Sequence, residues 1–257
     1  MRSFTLYEDD LTIQITFESS KNKYKIYLTK KLAGNFSFQQ EYYPVSFTSE
    51  SRINFAKKYQ IPMNKVINPR LEHDKNYYIA EKQLNYDYYL PESQVGLADA
   101  VLVHNRGLYG MITFADCIPL ALLNKKNNSI AAIHLGSRSI VKNVISYLID
   151  SWDKKYNLRP DSWLAIIGPS IFYYNYEIQN DFLNFIENKN IKLLNFIHKY
   201  DNRIFFDNRN SLQFQLKEAG VKEIFNLDYN TYTDNRFSSY RKEKPQHITQ
   251  ALFVTII

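Results

Sequence analysis

One thiol, Cys117, and two histidines, His73 and His134, are the side chains here best suited to soft-metal or nucleophilic chemistry. Cys117 follows Ala115-Asp116 and precedes the apolar run 118–123; His134 directly follows the apolar run 129–133. Each stands at the end of a stretch with the length and β-branched content of a buried strand, and a breaker, Pro119 or Gly136, follows closely. Side chains at such strand-to-loop corners can converge on one pocket. His73 lies in a polar turn, His73-Asp74-Lys75-Asn76. Two imidazoles and a thiolate from separate loops, with a fourth position open, form the pattern of catalytic zinc. Their separations along the chain match no metal-motif spacing. On the residues alone, Cys117 also reads as a small buried hydrophobe, His134 as a hydrogen-bonded core histidine and His73 as an exposed turn residue. A thiol nucleophile with His134 as its base is a second chemistry.

An anion site is suggested beside His134. Ile140, Val141, Val144, Ile145, Leu148, Ile149 and Trp152 recur at helical spacing, so a helix is expected to start just after Gly136, capped by Ser137 or Ser139. Its free N–H groups and dipole would favour a negative group near His134. Arg138, in the same turn, offers a fork suited to phosphate or carboxylate. Arg52, at the start of a short helix expected over 50–59, is a further cation that can face a ligand.

The elements that must position these groups follow from patterning. Alternation over Leu11–Phe17 and Tyr24–Leu28 around a polar turn predicts an N-terminal β-hairpin. Residues 66–81 read as two short strands broken at Asn68-Pro69 and at His73–Asn76, and 82–97 as a Tyr-rich surface loop. Strands are expected at 99–103, Trp163–Ile167, Arg203–Phe206, Glu223–Leu227 and Ile248–Ile256. Helices are expected over Gln179–Glu187 and Asn208–Ala219, the latter stopped by Gly220. Alternating strands and helices in the C-terminal half predict an α/β fold, a single domain over 1–257 with mixed β-sheet layers, flanking helices and the N-terminal hairpin.

Composition narrows the function classes. At 257 residues and 45% hydrophobic content the chain can bury a large core. No apolar run reaches the roughly 18 residues of a membrane span, and the N-terminus has no signal-like apolar core, so no membrane association is expected. One cysteine excludes an internal disulfide and fits a reducing compartment, with the cytoplasm as default. The net charge of +6 comes from scattered Lys and Arg without a basic block or a nucleic-acid module, so no nucleic-acid partner is expected. Nothing in the pattern specifies an oligomeric state.

Several segments, in order, resemble the multicopper polyphenol oxidase (laccase-like) family, now described as purine nucleoside phosphorylases and including peptidoglycan editing factors. They are Leu71-Glu-His73-Asp, Ala98-Asp-Ala, Phe114-Ala-Asp-Cys117-Ile-Pro, Ile130-Ala-Ala-Ile-His134-Leu-Gly-Ser-Arg138, Ile167-Gly-Pro-Ser-Ile171, Tyr176-Glu177 and Phe237-Ser-Ser-Tyr-Arg241. The likeness runs from about Gly34 to the C-terminus. It implies a zinc site at His73, Cys117 and His134, which would then be the catalytic centre, and phosphorolysis of adenosine, inosine and guanosine to base and ribose 1-phosphate. Adenosine deamination is implied as a side activity. Arg138, Ser137 and Ser139 would meet phosphate, with Arg52 and Arg241 as further anion contacts. Asp99 and Asp116 would orient a ligand histidine. The partners would be small molecules, a purine nucleoside and phosphate.

The chain departs from the family's usual His-Ala-Gly-Trp-Arg-Gly at Leu135, Ser137 and Ser139, and from Gln-Val-His-Gly at Leu71, Glu72 and Asp74. Two other readings stay open: a Cys/His hydrolase acting on peptidoglycan precursors, and a non-catalytic relative that binds a metal or nucleotide. Copper is less expected than zinc, because five histidines are too few for an added trinuclear copper cluster.

Overall fold

The computed structural model describes residues 3–18, 22–39, 42–83, 91 and 94–257. In chain order it runs β1 (Ser3–Glu8), β2 (Thr12–Glu18), β3 (Lys23–Thr29), α1 (Val45–Tyr59), β4 (Val66–Arg70), β5 (Tyr77–Ala80), β6 (Gln94–Leu97), β7 (Ala100–Val103), β8 (Tyr109–Phe114), β9 (Ile118–Asn124) and β10 (Ser129–Leu135). Then follow α2 (Ser137–Val141), α3 (Val144–Tyr156), β11 (Trp163–Ile167), β12 (Glu177–Ile178), α4 (Asn180–Lys189), β13 (Ile197–Tyr200), β14 (Arg203–Phe206), α5 (Asn208–Glu218), β15 (Glu223–Asn226), α6 (Tyr240–Glu243) and β16 (Gln250–Ile256). Among the described residues no helix is long and apolar enough to cross a membrane.

The fold is α/β with two large sheets face to face. One has the order β1-β2-β3-β16-β8-β4-β6, the other β15-β11-β9-β10-β7-β5; β12-β14-β13 form a small third sheet. Both large sheets are mixed: β4 runs parallel to β8, and β11 parallel to β15, among antiparallel neighbours. The expected hairpin is present, with Ile15 opposite Ile26 between β2 and β3.

Strand periodicity explains the continuous apolar runs. Ala121 and Leu123 of β9, with Ile130 and Ala132 of β10, pack against Ile13, Ile26, Ile112, Leu252 and Val254 of the facing sheet. The alternate residues Leu120, Leu122, Ala131 and Ile133 pack against Leu148 and Trp152 of α3 and Leu212 and Leu216 of α5. A sheet covered on both faces needs apolar side chains at every position rather than every second one. The outer face of the other sheet is closed by α1, where Phe55 stacks 5.3 Å from Phe253 of β16.

Several elements differ from the sequence-based expectation. The helix after His134 is two helices. Asn143 takes φ 55°, a left-handed conformation that Asn tolerates, and its side chain accepts a hydrogen bond from Ser146. Neither Ser137 nor Ser139 caps α2; Gly136 holds the cap position without a side-chain bond. α1 starts at Val45, directly after Pro44, so Arg52 is in mid-helix. Asn68-Pro69 does not break β4 but lies within a register shift against β6. β1 was not foreseen. Of the expected surface loop at 82–97, residues 84–90, 92 and 93 lie outside the described residues, and Gln94–Leu97 is strand β6. Gly220 does follow the end of α5, at φ 92°, one position beyond the cap residue Ala219.

Candidate functional site

The hairpin register of β9 and β10 builds the floor of the site. Leu135 pairs with Ile118 and His134 with Pro119, which sets Cys117 beside Gly136. A Cβ added at Gly136 would lie 3.4 Å from Cys117 Sγ and 3.3 Å from His73 Cδ2. His73 enters from the turn between β4 and β5, at φ 61°. Its ring stands at 81° to that of His134 with centroids 4.9 Å apart. One donor atom from each of His73, Cys117 and His134 lies within 4.8 Å of the others. His134 is buried, Cys117 half-buried and His73 exposed at the rim.

Asp99 holds both histidines. Its Oδ1 is 2.9 Å from His134 Nδ1. Its Oδ2 accepts the backbone N–H of Asp74 at 2.8 Å, securing the turn that carries His73. With Nδ1–H given to the carboxylate, His134 can offer a lone pair only at Nε2, and only when that nitrogen is unprotonated. Two imidazole nitrogens and a sulfur this close suit a tetrahedral ion, for which metal–ligand bonds of about 2.0–2.3 Å put donors roughly 3.6 Å apart. The donor set fits a metal with an open side toward the cavity.

The electrostatics of the cluster are those of a charged pair. Burial alone would push the Cys117 thiol up, but the His134 charge and hydrogen bonds from His134 and His73 outweigh it and bring the thiol down to about 6. For His134, burial acts downward and is outweighed by the Cys117 charge and the Asp99 hydrogen bond, which raise the imidazole to about 10. Thiolate and imidazolium stabilise each other, and a cation placed between the donors would take over the imidazolium's role.

A cavity of about 570 Å³ opens over these donors. Ser137 and Arg138 at the start of α2 line it, as do Arg241 of α6, Tyr176 and Asn208. Ser37, Gln39, Tyr240, His247 and Thr249 line it as well. The Arg138 guanidinium sits 5.3 Å from the Phe185 ring and 5.8 Å from that of Phe182. The Arg241 guanidinium lies 4.9 Å over the Tyr176 ring, and its Nη1 donates to the Glu177 carbonyl at 3.0 Å. The hydroxyls of Ser137 and Tyr176 share a hydrogen bond of 2.7 Å. Burial raises the pKa of the Tyr176 phenol and pushes the His247 imidazole below its ordinary value.

Two of the expected anion contacts are elsewhere. Arg52 is fully buried under α1; its Nε donates to the Phe36 carbonyl at 3.1 Å and its guanidinium stacks 4.1 Å from the Phe38 ring. As a mid-helix residue it faces the core rather than a ligand. Ser139 is also fully buried, and it is absent from the cavity wall because it lies on the inward face of α2. Asp116 orients no histidine. Its Oδ1 accepts from Thr231 Oγ1 at 2.6 Å, and its Oδ2 from Ser239 Oγ at 2.9 Å and from the Arg241 backbone N–H at 2.6 Å. Tyr176 and Tyr240 belong to the segments Tyr176-Glu177 and Phe237–Arg241 that carry the family resemblance, but neither has a side-chain role that the sequence alone suggests. Ser37, Gln39, Asn208, His247 and Thr249 carry no local signal; Ser37 and Gln39 follow the segment that bonds to Thr249, just before β16, and Asn208 comes with the start of α5.

Residues 35–256 match the family described as multi-copper polyphenol oxidoreductase laccase. A protein of Rickettsia conorii named purine nucleoside phosphorylase is 30% identical over 164 residues, covering 60% of this chain and 67% of that protein. The purine nucleoside phosphorylase YfiH of Shigella flexneri is 30% identical over 57% of this chain and 59% of its own. The aligned stretch thus spans 59 to 67% of these two relatives' length. The crystal structure of Bacillus licheniformis hypothetical protein YfiH has the same fold, with a TM-score of 0.87 over 98% of both chains at 14% identity.

Proposed function

Because the chain belongs to the multi-copper polyphenol oxidoreductase laccase family, with relatives named purine nucleoside phosphorylases, we propose that it is a zinc-dependent purine nucleoside phosphorylase. Adenosine, inosine or guanosine and phosphate would give free base and ribose 1-phosphate. The observation that carries this reading is that one cavity holds both the His73–Cys117–His134 donor set and the guanidinium groups of Arg138 and Arg241. At about 570 Å³ it has the size of a small-ligand site.

In phosphorolysis the glycosidic C1′–N9 bond breaks, a phosphate oxygen bonds to C1′, and the purine leaves with the electron pair and takes a proton. Arg138 and Arg241 would hold the phosphate dianion through charge-assisted hydrogen bonds, and Ser137, oriented by Tyr176, would add a hydroxyl. Leu71 and Tyr240 offer apolar surface to the base. His73, Cys117 and His134 would hold the zinc, with Asp99 fixing the His134 tautomer. When bound, the ion supplies a Lewis acid, the chemistry that adenosine deamination also requires. A thiolate ligand on a lone cysteine suits the reducing cytoplasm.

The test is release of free base from inosine or adenosine, expected only when phosphate is present and abolished by Cys117→Ala. Base release independent of phosphate would reject the phosphorylase reading. One observation favours a second reading: Asp99, His134 and Cys117 form a carboxylate–imidazole–thiol line like that of a cysteine hydrolase. Cleavage of an amide in a peptidoglycan precursor, without base release from any purine nucleoside, would select it.

A further inference from the structure

Asp116 directly precedes Cys117, yet its carboxylate faces another part of the chain. It is buried, 8% exposed, and is held at φ 75°, a left-handed backbone that Asp tolerates better than most residues. Both oxygens are saturated by the segment that includes Thr231, Ser239 and Arg241, with the three bonds between 2.6 and 2.9 Å. Its own carbonyl accepts from the Ile171 backbone N–H at 3.1 Å. Ser239 is also the cap of α6, where its hydroxyl accepts from Lys242 N at 3.3 Å. Arg241 follows in the first turn of this four-residue helix, too short to hold a side chain in place by its own stability. Among the described residues, only Nη1 of its guanidinium donates a hydrogen bond, to Glu177; the other N–H groups are left for the cavity.

We propose that Asp116 is the positioning residue for Arg241: it ties the Ser239–Arg241 turn to the strand end carrying Cys117, and so sets the guanidinium at a fixed distance from the metal donors. The proposal rests on the phosphorylase reading for what Arg241 contacts, namely the phosphate. The carboxylate acts as a hydrogen-bond acceptor, not as a charge and not as a base. Its partners distinguish these roles. The Arg241 amide can only donate, but the hydroxyls of Thr231 and Ser239 can each give or take. An amide at position 116 therefore can still serve the turn with its oxygen while its NH2 group donates to Thr231.

The experiment measures binding of inorganic phosphate to the zinc-loaded protein by calorimetry, with metal content determined in each variant. Arg241→Ala and Asp116→Ala are each expected to weaken phosphate by about tenfold, and the double variant to bind no more weakly than either single one to within about twofold. Asp116→Asn should bind within about threefold of wild type, since it keeps the hydrogen bonds and loses only the charge. Metal content should be unchanged throughout. Should Asp116→Ala not fold, Ser239→Ala takes its place in the cycle, with the same non-additivity toward Arg241→Ala expected.

Additive losses, an Asn variant as weak as the Ala variant, or a wild type that binds no phosphate would each overturn the proposal. Base release is followed in parallel. If phosphate binds and is lost in Asp116→Ala while no purine nucleoside is turned over, the phosphorylase reading fails and the positioning role stands. If base is released with the KM for phosphate unmoved by Asp116→Ala, the reverse holds.

Discussion

Asp99 Oδ1 lies 2.9 Å from His134 Nδ1, while the other oxygen of the same carboxylate takes the backbone N–H of Asp74 at 2.8 Å. A single buried side chain thus sets the tautomer of one candidate metal donor and the backbone turn of another. Both partners donate, so no orientation of an amide can satisfy both.

Asp99→Asn is therefore expected to turn an NH2 group on one of them. Against His134 it would favour the tautomer protonated on Nε2, which removes the lone pair needed for coordination. Zinc affinity should fall by about 10- to 100-fold, measured by competition with a chelating dye, while the far-ultraviolet circular dichroism is unchanged. An unaltered affinity would show that the carboxylate does not orient the ligand.

Cys117 is the only cysteine, so alkylation reports on it alone. Its thiol lies at about 6 in place of the ordinary 9.0, and the thiolate is the form present above that value. In chelator-stripped protein the iodoacetamide rate should rise through a midpoint near 6 and be flat between about 7 and 9. Added zinc should suppress it. A midpoint near 9 would mean that His134 and His73 do not stabilise the thiolate.

Gly136→Ala adds a methyl group 3.3 Å from His73 Cδ2 and 3.4 Å from Cys117 Sγ, while φ of −79° suits alanine. The backbone accepts the change, so stability should move by less than about 1 kcal/mol. His73 sits in an exposed turn and yields first. The expected outcome is a folded protein with weakened zinc binding. Full affinity in this variant would show that the glycine is not needed for the close approach.

Arg209 is a structural cation that does not line the cavity. Its Nη1 donates to the Gly168 carbonyl and to Ser170 Oγ, each at 2.8 Å, and its Nη2 to the Leu227 carbonyl at 3.0 Å. It thereby staples α5 to the ends of β11 and β15. Arg209→Met should cost about 3 kcal/mol or more in urea denaturation, because it strands buried acceptors. The zinc content of the folded fraction should be unaffected.

The strands over Trp163–Ile167 and Arg203–Phe206 coincide with their sequence reading because they are short, apolar and bounded by polar turns. The corner positions of Cys117 and His134 were legible for a related reason: both end apolar runs, and strand ends are where side chains leave the sheet, whereas His73, in a polar turn, carried no such local signal. Arg52 departs from its expected place because α1 starts five residues earlier than the local pattern suggests, which moves the arginine from the helix start to its buried face. The division of the α2–α3 stretch turned on Asn143, whose left-handed conformation interrupts an otherwise unbroken apolar spacing. The role of Asp116 could not be read locally at all. Thr231 and Ser239, which complete it, stand 115 and 123 residues away along the chain.

β16 lies in the middle of its sheet, bonded to β3 on one side and β8 on the other. All other described strands precede it in chain order. During synthesis the N-terminal hairpin and β8 therefore cannot be bridged until residues 250–256 have been made as well. Up to that moment the apolar faces that later meet Leu252 and Val254 stay open to solvent and to other chains. His247 and Thr249 immediately precede β16, so these two lining residues of the pocket arrive only with that strand. Closure of this sheet thus depends on a strand made after all its other described members, and a chain cut before β16 would leave those apolar faces uncovered.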